Sequence, residues 1–201
     1  MGNERHRGGT HELLAEAPGA SSGLDPTDMT VLGNEVLFSG VDASGLSGLW
    51  VTNGTAGGTH ELLAEAPGAT GAKDPLGLNP TDFTVFNGDV FFNGLDQFGR
   101  GQLWELNGAT LEPRMLTAPG AAGGLSPSNF ELYNGHLLFG GFDHAGLLGL
   151  WTTNGTAAGT QEITPSSGTF ETGLQPVDLT ALAPGDAVAP TAQLLALLQF
   201  L

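Results

Sequence analysis

The chain has no cysteine, so neither disulfide cross-links nor thiolate chemistry is open to it. Positive charge is almost as scarce. Five lysines and arginines, with Lys73 the sole lysine, stand against 21 acids and leave a formal charge of −16. Such a surface repels nucleic-acid phosphate and anionic lipid, which removes both from the expected partners. Residues 1–9 hold no apolar stretch of the kind a signal peptide needs. No apolar run reaches the roughly 20 residues of a spanning helix. The longest, Ala187–Leu201, is read as an apolar tail too short to cross a membrane; within it Ala192–Leu201 has helix-favouring residues and is expected to cap the core, pair as a last strand or serve as a surface for self-association.

What the chain has in plenty is punctuation: 33 glycines and 12 prolines in 201 residues. That composition suits many short strands joined by turns better than long helices. It is also ordered as a repeat. The 13 residues GGTHELLAEAPGA occur at Gly8–Ala20 and again, unchanged, at Gly57–Ala69. Looser copies recur about every 50 residues. Strand-like segments begin at Asp28, Asp82, Asn129 and Asp178, each two residues after a proline (Pro26, Pro80, Pro127, Pro176). A turn dipeptide follows: Gly33-Asn34, Asn87-Gly88, Asn134-Gly135 and Pro184-Gly185. Glycine and asparagine accept positive φ at little cost, so such dipeptides between apolar runs predict hairpins.

The hairpins predicted are Met29–Leu32 with Val36–Phe38, Phe83–Phe86 with Val90–Phe92, and Phe130–Tyr133 with Leu137–Phe139. Their first strands alternate, Phe83 and Val85 facing one way, Asp82 and Thr84 the other. The second strands are apolar on both faces, as at Val90, Phe91 and Phe92, which places them between two layers. Asp42, Asp96 and Asp143 each open a four-residue stretch closed by glycine, the chemistry of a type I turn. A tryptophan strand follows (Trp50, Trp104, Trp151), then an Asn-Gly turn at Asn53, Asn107 or Asn154, and a fourth strand at His60–Ala64, Arg114–Thr117 or Gln161–Thr164.

Four short antiparallel strands per repeat match the blade of a β-propeller. The expected fold is all-β: a propeller-like array of about 3.5–4 units, closed as a four-bladed ring if the early strand near Thr10–Leu14 joins the late ones. The repeat domain is placed at 1–186, with units near 10–58, 59–111, 112–159 and a partial 160–186, followed by the tail 187–201.

The tryptophan segments resemble the ELWxxDGT repeat, found in tandem in large bacterial surface or secreted proteins. LWVTNGTAGGT (Leu49–Thr59) and LWTTNGTAAGT (Leu150–Thr160) carry the resemblance; LWELNGATLEP (Leu103–Pro113) is a degenerate copy. The resemblance implies a propeller-like fold and an extracellular or cell-surface location, and no particular activity. Where the repeat has glutamate this chain has Gly48, Gln102 and Gly149, and for its aspartate Asn53, Asn107 and Asn154.

Catalytic motifs are missing. His60-Glu61-Leu62-Leu63-Ala64 begins like a zinc helix, but alanine takes the second histidine's place and the repeat puts the segment in a strand. No serine elbow, phosphate loop or dinucleotide fingerprint occurs. The Asp42, Asp96 and Asp143 turns each supply one acid where a calcium loop supplies several, so they are read as turn formers and no cofactor is expected; calcium at a ring mouth is the alternative. The sequons at Asn53 and Asn154 are explained by the turns. One tryptophan per repeat is read as core, with a sugar-stacking platform as the alternative. The expected function is therefore a non-enzymatic binding or scaffold module with a protein or glycan partner. Two alternatives stand beside it. One is a propeller-based lyase or hydrolase, which needs Asp28, Asp82 and Asp178 gathered with a histidine. The other is a fragment of a larger surface protein.

Overall fold

The computed structural model describes residues 23–63, 76–121, 123–164, 174–176 and 179. Among them all regular structure is β: twelve strands in three four-stranded antiparallel sheets. The first sheet joins β1 (Thr27–Leu32), β2 (Glu35–Val41), β3 (Ser47–Thr52) and β4 (His60–Leu62) in chain order. The second holds β5 (Thr81–Phe86), β6 (Asp89–Leu95), β7 (Gly101–Leu106) and β8 (Pro113–Met115). The third holds β9 (Ser128–Tyr133), β10 (His136–Phe142), β11 (Leu148–Thr153) and β12 (Gln161–Glu162). Each sheet is one contiguous stretch, so the sequence boundaries at 58, 111 and 159 fall just before the fourth strands. The first copy of the 13-residue repeat, the strand begun at Asp178 and the apolar tail lie outside the described residues.

The expected hairpins form, and longer than the sequence indicated. Leu32 faces Glu35, Phe86 faces Asp89 and Tyr133 faces His136 across two-residue turns. Asn87 and Gly88 both have positive φ (54° and 89°), as do Asn134 and Gly135 (47° and 76°), the geometry these residues are suited to. The fourth strands are shorter than expected. They follow a wider loop rather than a tight Asn-Gly turn: Val51 faces His60, with everything between them in the connection. In the degenerate copy the positive φ moves from the glycine to Leu111 (57°).

The first strands differ from strict alternation. Each carries a bulge at Asp28, Asp82 or Asn129, all with φ between 51° and 59°. Aspartate and asparagine are the side chains that tolerate this region best. Phe83 packs against Phe92 with ring centroids 5.4 Å apart, but Val85 on the same face is 36% exposed, and the buried end of the strand is Phe86. β1, β5 and β9 lie side by side, and Phe83 reaches the core between the first two sheets while Phe86 reaches the next one.

The second strands are buried on both faces. Val90 and Phe92 pack toward the first sheet, with Leu37, Leu49 and Val51. Phe91 packs toward the third, with Leu137, Phe139 and Trp151. Two cores result, one in each gap between successive sheets.

The same bond recurs inside every sheet. The indole N–H of Trp50 donates to the Gly40 carbonyl at 3.0 Å, that of Trp104 to Gly94 at 3.1 Å, and that of Trp151 to Gly141 at 3.0 Å. Each tryptophan is 1% exposed, so this bond removes a buried-donor penalty of about 1–3 kcal/mol. The indole lies against the strand where the acceptor residue has no side chain. A Cβ on Gly40 or Gly94 would come within 2.8 or 2.7 Å of the tryptophan Cδ1.

A second recurring device ties sheet to sheet. The residue before each repeat proline has positive φ: Asp25 47°, Asn79 43°, Ser126 43° and Gln175 46°. Pre-proline residues normally avoid this region. Four different side chains adopt it, so the side chain does not select it; the backbone bonds do. Asn79 N–H donates to Ser47 O of the preceding sheet (2.9 Å), Ser126 N–H to Gly101 O (3.0 Å) and Gln175 N–H to Leu148 O (2.9 Å). One residue earlier, the carbonyls of Leu24, Leu78 and Leu125 accept from Val41, Leu95 and Phe142 of their own sheets. The segments Gly77–Pro80 and Gly124–Pro127 are thus clasps between their own sheet and the one before, and the segments at Leu24 and Gln175 show one half of the device each.

Gly94→Ala should lower stability by about 1–3 kcal/mol through overpacking, and Trp104→Phe by about 1–3 kcal/mol through the orphaned environment of the lost N–H. Urea unfolding checks both. An alanine variant as stable as the parent would show that the indole does not lie against Gly94.

Candidate functional site

The side chains singled out by the repeat are largely engaged in building it. Asp42 Oδ1 accepts from the backbone N–H of Ser44 (2.7 Å) and Leu46 (3.0 Å). Asp96 Oδ1 accepts from Phe98 (2.9 Å) and Arg100 (3.0 Å), and Asp143 Oδ1 from Leu147 (2.8 Å). Gly45, Gly99 and Gly146 donate back to the carbonyls of the same three aspartates, closing the turns. Asn53 and Asn154 accept through Oδ1 from the N–H and hydroxyl of Thr55 and Thr156. Asn107 caps its loop through Ala109 and Thr110. Thr52 and Thr153 meet Thr59 and Thr160 hydroxyl to hydroxyl, at 2.6 and 2.8 Å, across the neck of their loops. Trp104 and Trp151 are buried between sheets and Trp50 is 1% exposed, so none of the three presents a face for sugar stacking.

Beside the aspartate turns the three sheets diverge. At Gly48 and Gly149 a Cβ would run into the carboxylates of Glu61 and Glu162, which reach across from the fourth strand. Those glutamates fill the place where the resembling repeat carries its own glutamate on the tryptophan strand. In the second sheet Gln102 stands there instead, with Met115 at the fourth-strand position of the glutamates, and its amide joins the Arg100 guanidinium on Asp96 Oδ2 (3.1, 3.0 and 2.9 Å). Burial pushes Asp96 up, but these donors outweigh it and hold the carboxyl below its ordinary value. Burial and then the charge of Asp143 push Glu162 up. Glu105, 3% exposed, is also pushed up by burial, against the opposing effect of Arg114, which binds it at 2.6–2.9 Å. Arg114 reaches on to the Gly155 carbonyl of the third sheet (3.3 Å), so the pair also bridges two sheets.

A cavity of about 440 Å³ opens where the first two sheets are clasped. Asp25, Pro26, Thr27 and Asp28 form one wall, and Ser39, Gly40, Val41 and Ser47 the floor. Asn79 and Thr81 of the second sheet close it. The floor hydroxyls of Ser39 and Ser47 bond to each other at 2.8 Å, and Ser39 is 6% exposed. Position follows from topology: the clasps, the bulged ends of the first strands and the aspartate turns share one end of the sheets, while the hairpin turns and tryptophan-strand loops share the other.

Asp28 and Asp82 lie near the start of neighbouring first strands, and His144 stands in the third sheet's aspartate turn at the same end, whereas His60 and His136 begin strands at the far end; Asp178 lies outside the described residues. No group of three or more metal-ligating side chains gathers among the described residues. No helix among them is long and apolar enough to cross a membrane.

Sequence reasoning named the prolines but missed the clasp around them, and with it the cavity. The signal was present as GLDP, GLNP, GLSP and GLQP. It also missed Glu61 and Glu162, which the pairing of Gly with Glu in repeats one and three, and of Gln with Met in repeat two, marks. No protein-family model matches the chain, and no curated protein matches it.

The carboxyl shifts have opposite signs and so predict opposite pH behaviour. A raised folded value for Glu105 means its contribution is complete below the unfolded pKa and is lost as pH rises through the folded value. A lowered value for Asp96 means stability gained above the unfolded pKa and lost as pH falls through the folded one. Glu105→Gln should therefore gain in melting temperature relative to the parent as pH rises from acid to neutral, and Asp96→Asn should fall behind it. Parallel curves for either variant would show that its carboxyl is not shifted.

Proposed function

We propose that this chain is a non-enzymatic binding or scaffold module of an exported bacterial protein, its sheets arranged as blades of a propeller. The observation that carries the reading is the division of labour among its polar side chains. The repeated Asp, Asn and Trp positions hold turns, loops and cores. Polar groups that vary from unit to unit stand at both ends, Glu105 and Arg114 at the loop end and Ser39 against Asn93 at the clasp end, where the cavity opens. A conserved frame with a variable mouth suits recognition, where a glycan or protein ligand is met by the mouth.

Three features support the propeller arrangement. First strands lie beside first strands, cores fill each gap, and the clasp at Leu174–Pro176 engages the third sheet in the same way as its predecessors engage theirs. In this reading a fourth unit begins at Leu174 and completes a four-bladed ring. Exported location rests on the ELWxxDGT resemblance alone.

The test is a titration followed by NMR with fragments of bacterial surface polysaccharides, assaying each mixture for new reducing ends and unsaturated sugars. Saturable shifts at the clasp end, with no product, are expected. Product formation would make the chain an enzyme, and shifts confined to the loop end of the sheets would move the binding mouth.

A further inference from the structure

We propose that the cavity between the first and second sheets takes a hydroxylated ligand bearing a protonated amine, an amino sugar unit with its amine free. The inference rests on the binding reading above and names the ligand class of the same site.

Size comes first. About 440 Å³ falls within the roughly 300–1,000 Å³ of small-molecule pockets. Charge comes second. Asp25 and Asp28 stand exposed at the rim of the cavity, no lysine, arginine or histidine lines it, and the chain as a whole carries −16. A cleft of one sign focuses the field of the surrounding charge and concentrates ligands of the other. Carboxylates with ammonium donors make the stronger, charge-assisted class of hydrogen bond.

The floor decides what accompanies the charge. Ser39 and Ser47 share one hydrogen bond, which leaves one of the two hydroxyl hydrogens without an acceptor in that pair, and lone pairs as well. Ser39 is more than nine-tenths buried, so its remaining capacity serves the cavity rather than bulk water. With Asn79 and Thr81 opposite, the floor and far wall can both donate and accept, as sugar hydroxyls require. A bare divalent ion is a poorer match, since no three ligating side chains come together among the described residues.

The other junctions carry different polar groups at the equivalent positions. Between the second and third sheets Asn93 replaces Ser39 and Gly101 replaces Ser47. A Cβ on Gly101 would lie 2.6 Å from Ser126 Oγ and 2.9 Å from Asn93 Oδ1, so those two side chains occupy the space that Ser47 fills at the first junction. At the third clasp Pro176 and Ser128 lie within 3.6 Å of where a Cβ on Gly140 would be. The paired serine hydroxyls are therefore a feature of the first junction.

The test compares two probes of one shape: the β-1,4-linked glucosamine disaccharide and its di-N-acetylated form, titrated by NMR into the full chain below the amine pKa. The free amine should shift the amides of Thr27, Ser39, Asn79 and Thr81 saturably. The acetylated form should bind at least ten-fold more weakly. Asp25→Asn with Asp28→Asn should weaken the amine at least ten-fold. Asparagine tolerates the positive φ at both sites, so folding is retained. Glu35→Gln, at the far end of the first sheet, should change binding less than two-fold. Equal binding of the acetylated disaccharide at the same residues would overturn the amine while leaving a glycan-binding module standing. An equal loss in Glu35→Gln would reduce the effect to general charge attraction and overturn the site. No shift at the cavity with either probe would overturn the ligand class, and the polysaccharide titration above then decides the binding reading independently.

Discussion

A buried indole N–H must find an acceptor, and in this chain it finds the same one three times. Because the acceptor is the carbonyl of a residue without a side chain, the ring can lie flat against its own sheet and still meet the neighbouring sheet with its outer face. That constraint fixes much else. It requires glycine near the end of the second strand. It sets the register of the tryptophan strand, where Phe38, Phe92 and Phe139 lie opposite the three tryptophans. It also leaves the second strands packed on both faces, so that no sheet has a core of its own and each depends on a neighbour.

The clasp answers that dependence. A sheet that buries both faces needs its successor in a fixed place, and two backbone bonds made by the peptide group just before a strained pre-proline residue provide it. Strain of this kind costs about 1–3 kcal/mol per residue and persists only where surrounding bonds impose it. Its appearance at four positions with four different side chains marks it as architecture. The Arg114 bridge from Glu105 to Gly155 adds a second tie at the opposite end of the same gap. The first two junctions also differ in their polar side chains, Ser39 and Ser47 at one and Asn93 and Gly101 at the other.

Much of the frame was legible because it is carried by residues with few conformational choices. Asn-Gly and Gly-Asn placed the hairpins, and the doubly apolar Val90–Phe92 run required layers on both sides. Asp-x-x-Gly marked the turns between second and third strands. What escaped was cooperative. The bulges at Asp28, Asp82 and Asn129 break the alternation that a period-two reading assumes. The loop after the tryptophan strand is held by threonine pairs and asparagine caps spread over eight residues, so its Asn-Gly dipeptide did not act as a two-residue turn. The cavity is lined by residues from two repeats, Asp25–Asp28, Ser39 and Ser47 of one and Asn79 and Thr81 of the next, and motif searching within a repeat does not bring them together.

The account stands on the equivalence of the three tryptophans. Hydrogen exchange at the indole N–H groups, read by NMR on protein labelled at tryptophan, measures it directly. Three slowly exchanging indole signals with similar protection are predicted for Trp50, Trp104 and Trp151. One of them exchanging at the rate of a free indole would mean that its sheet is not built like the others, and would contradict the repeat architecture described for this chain.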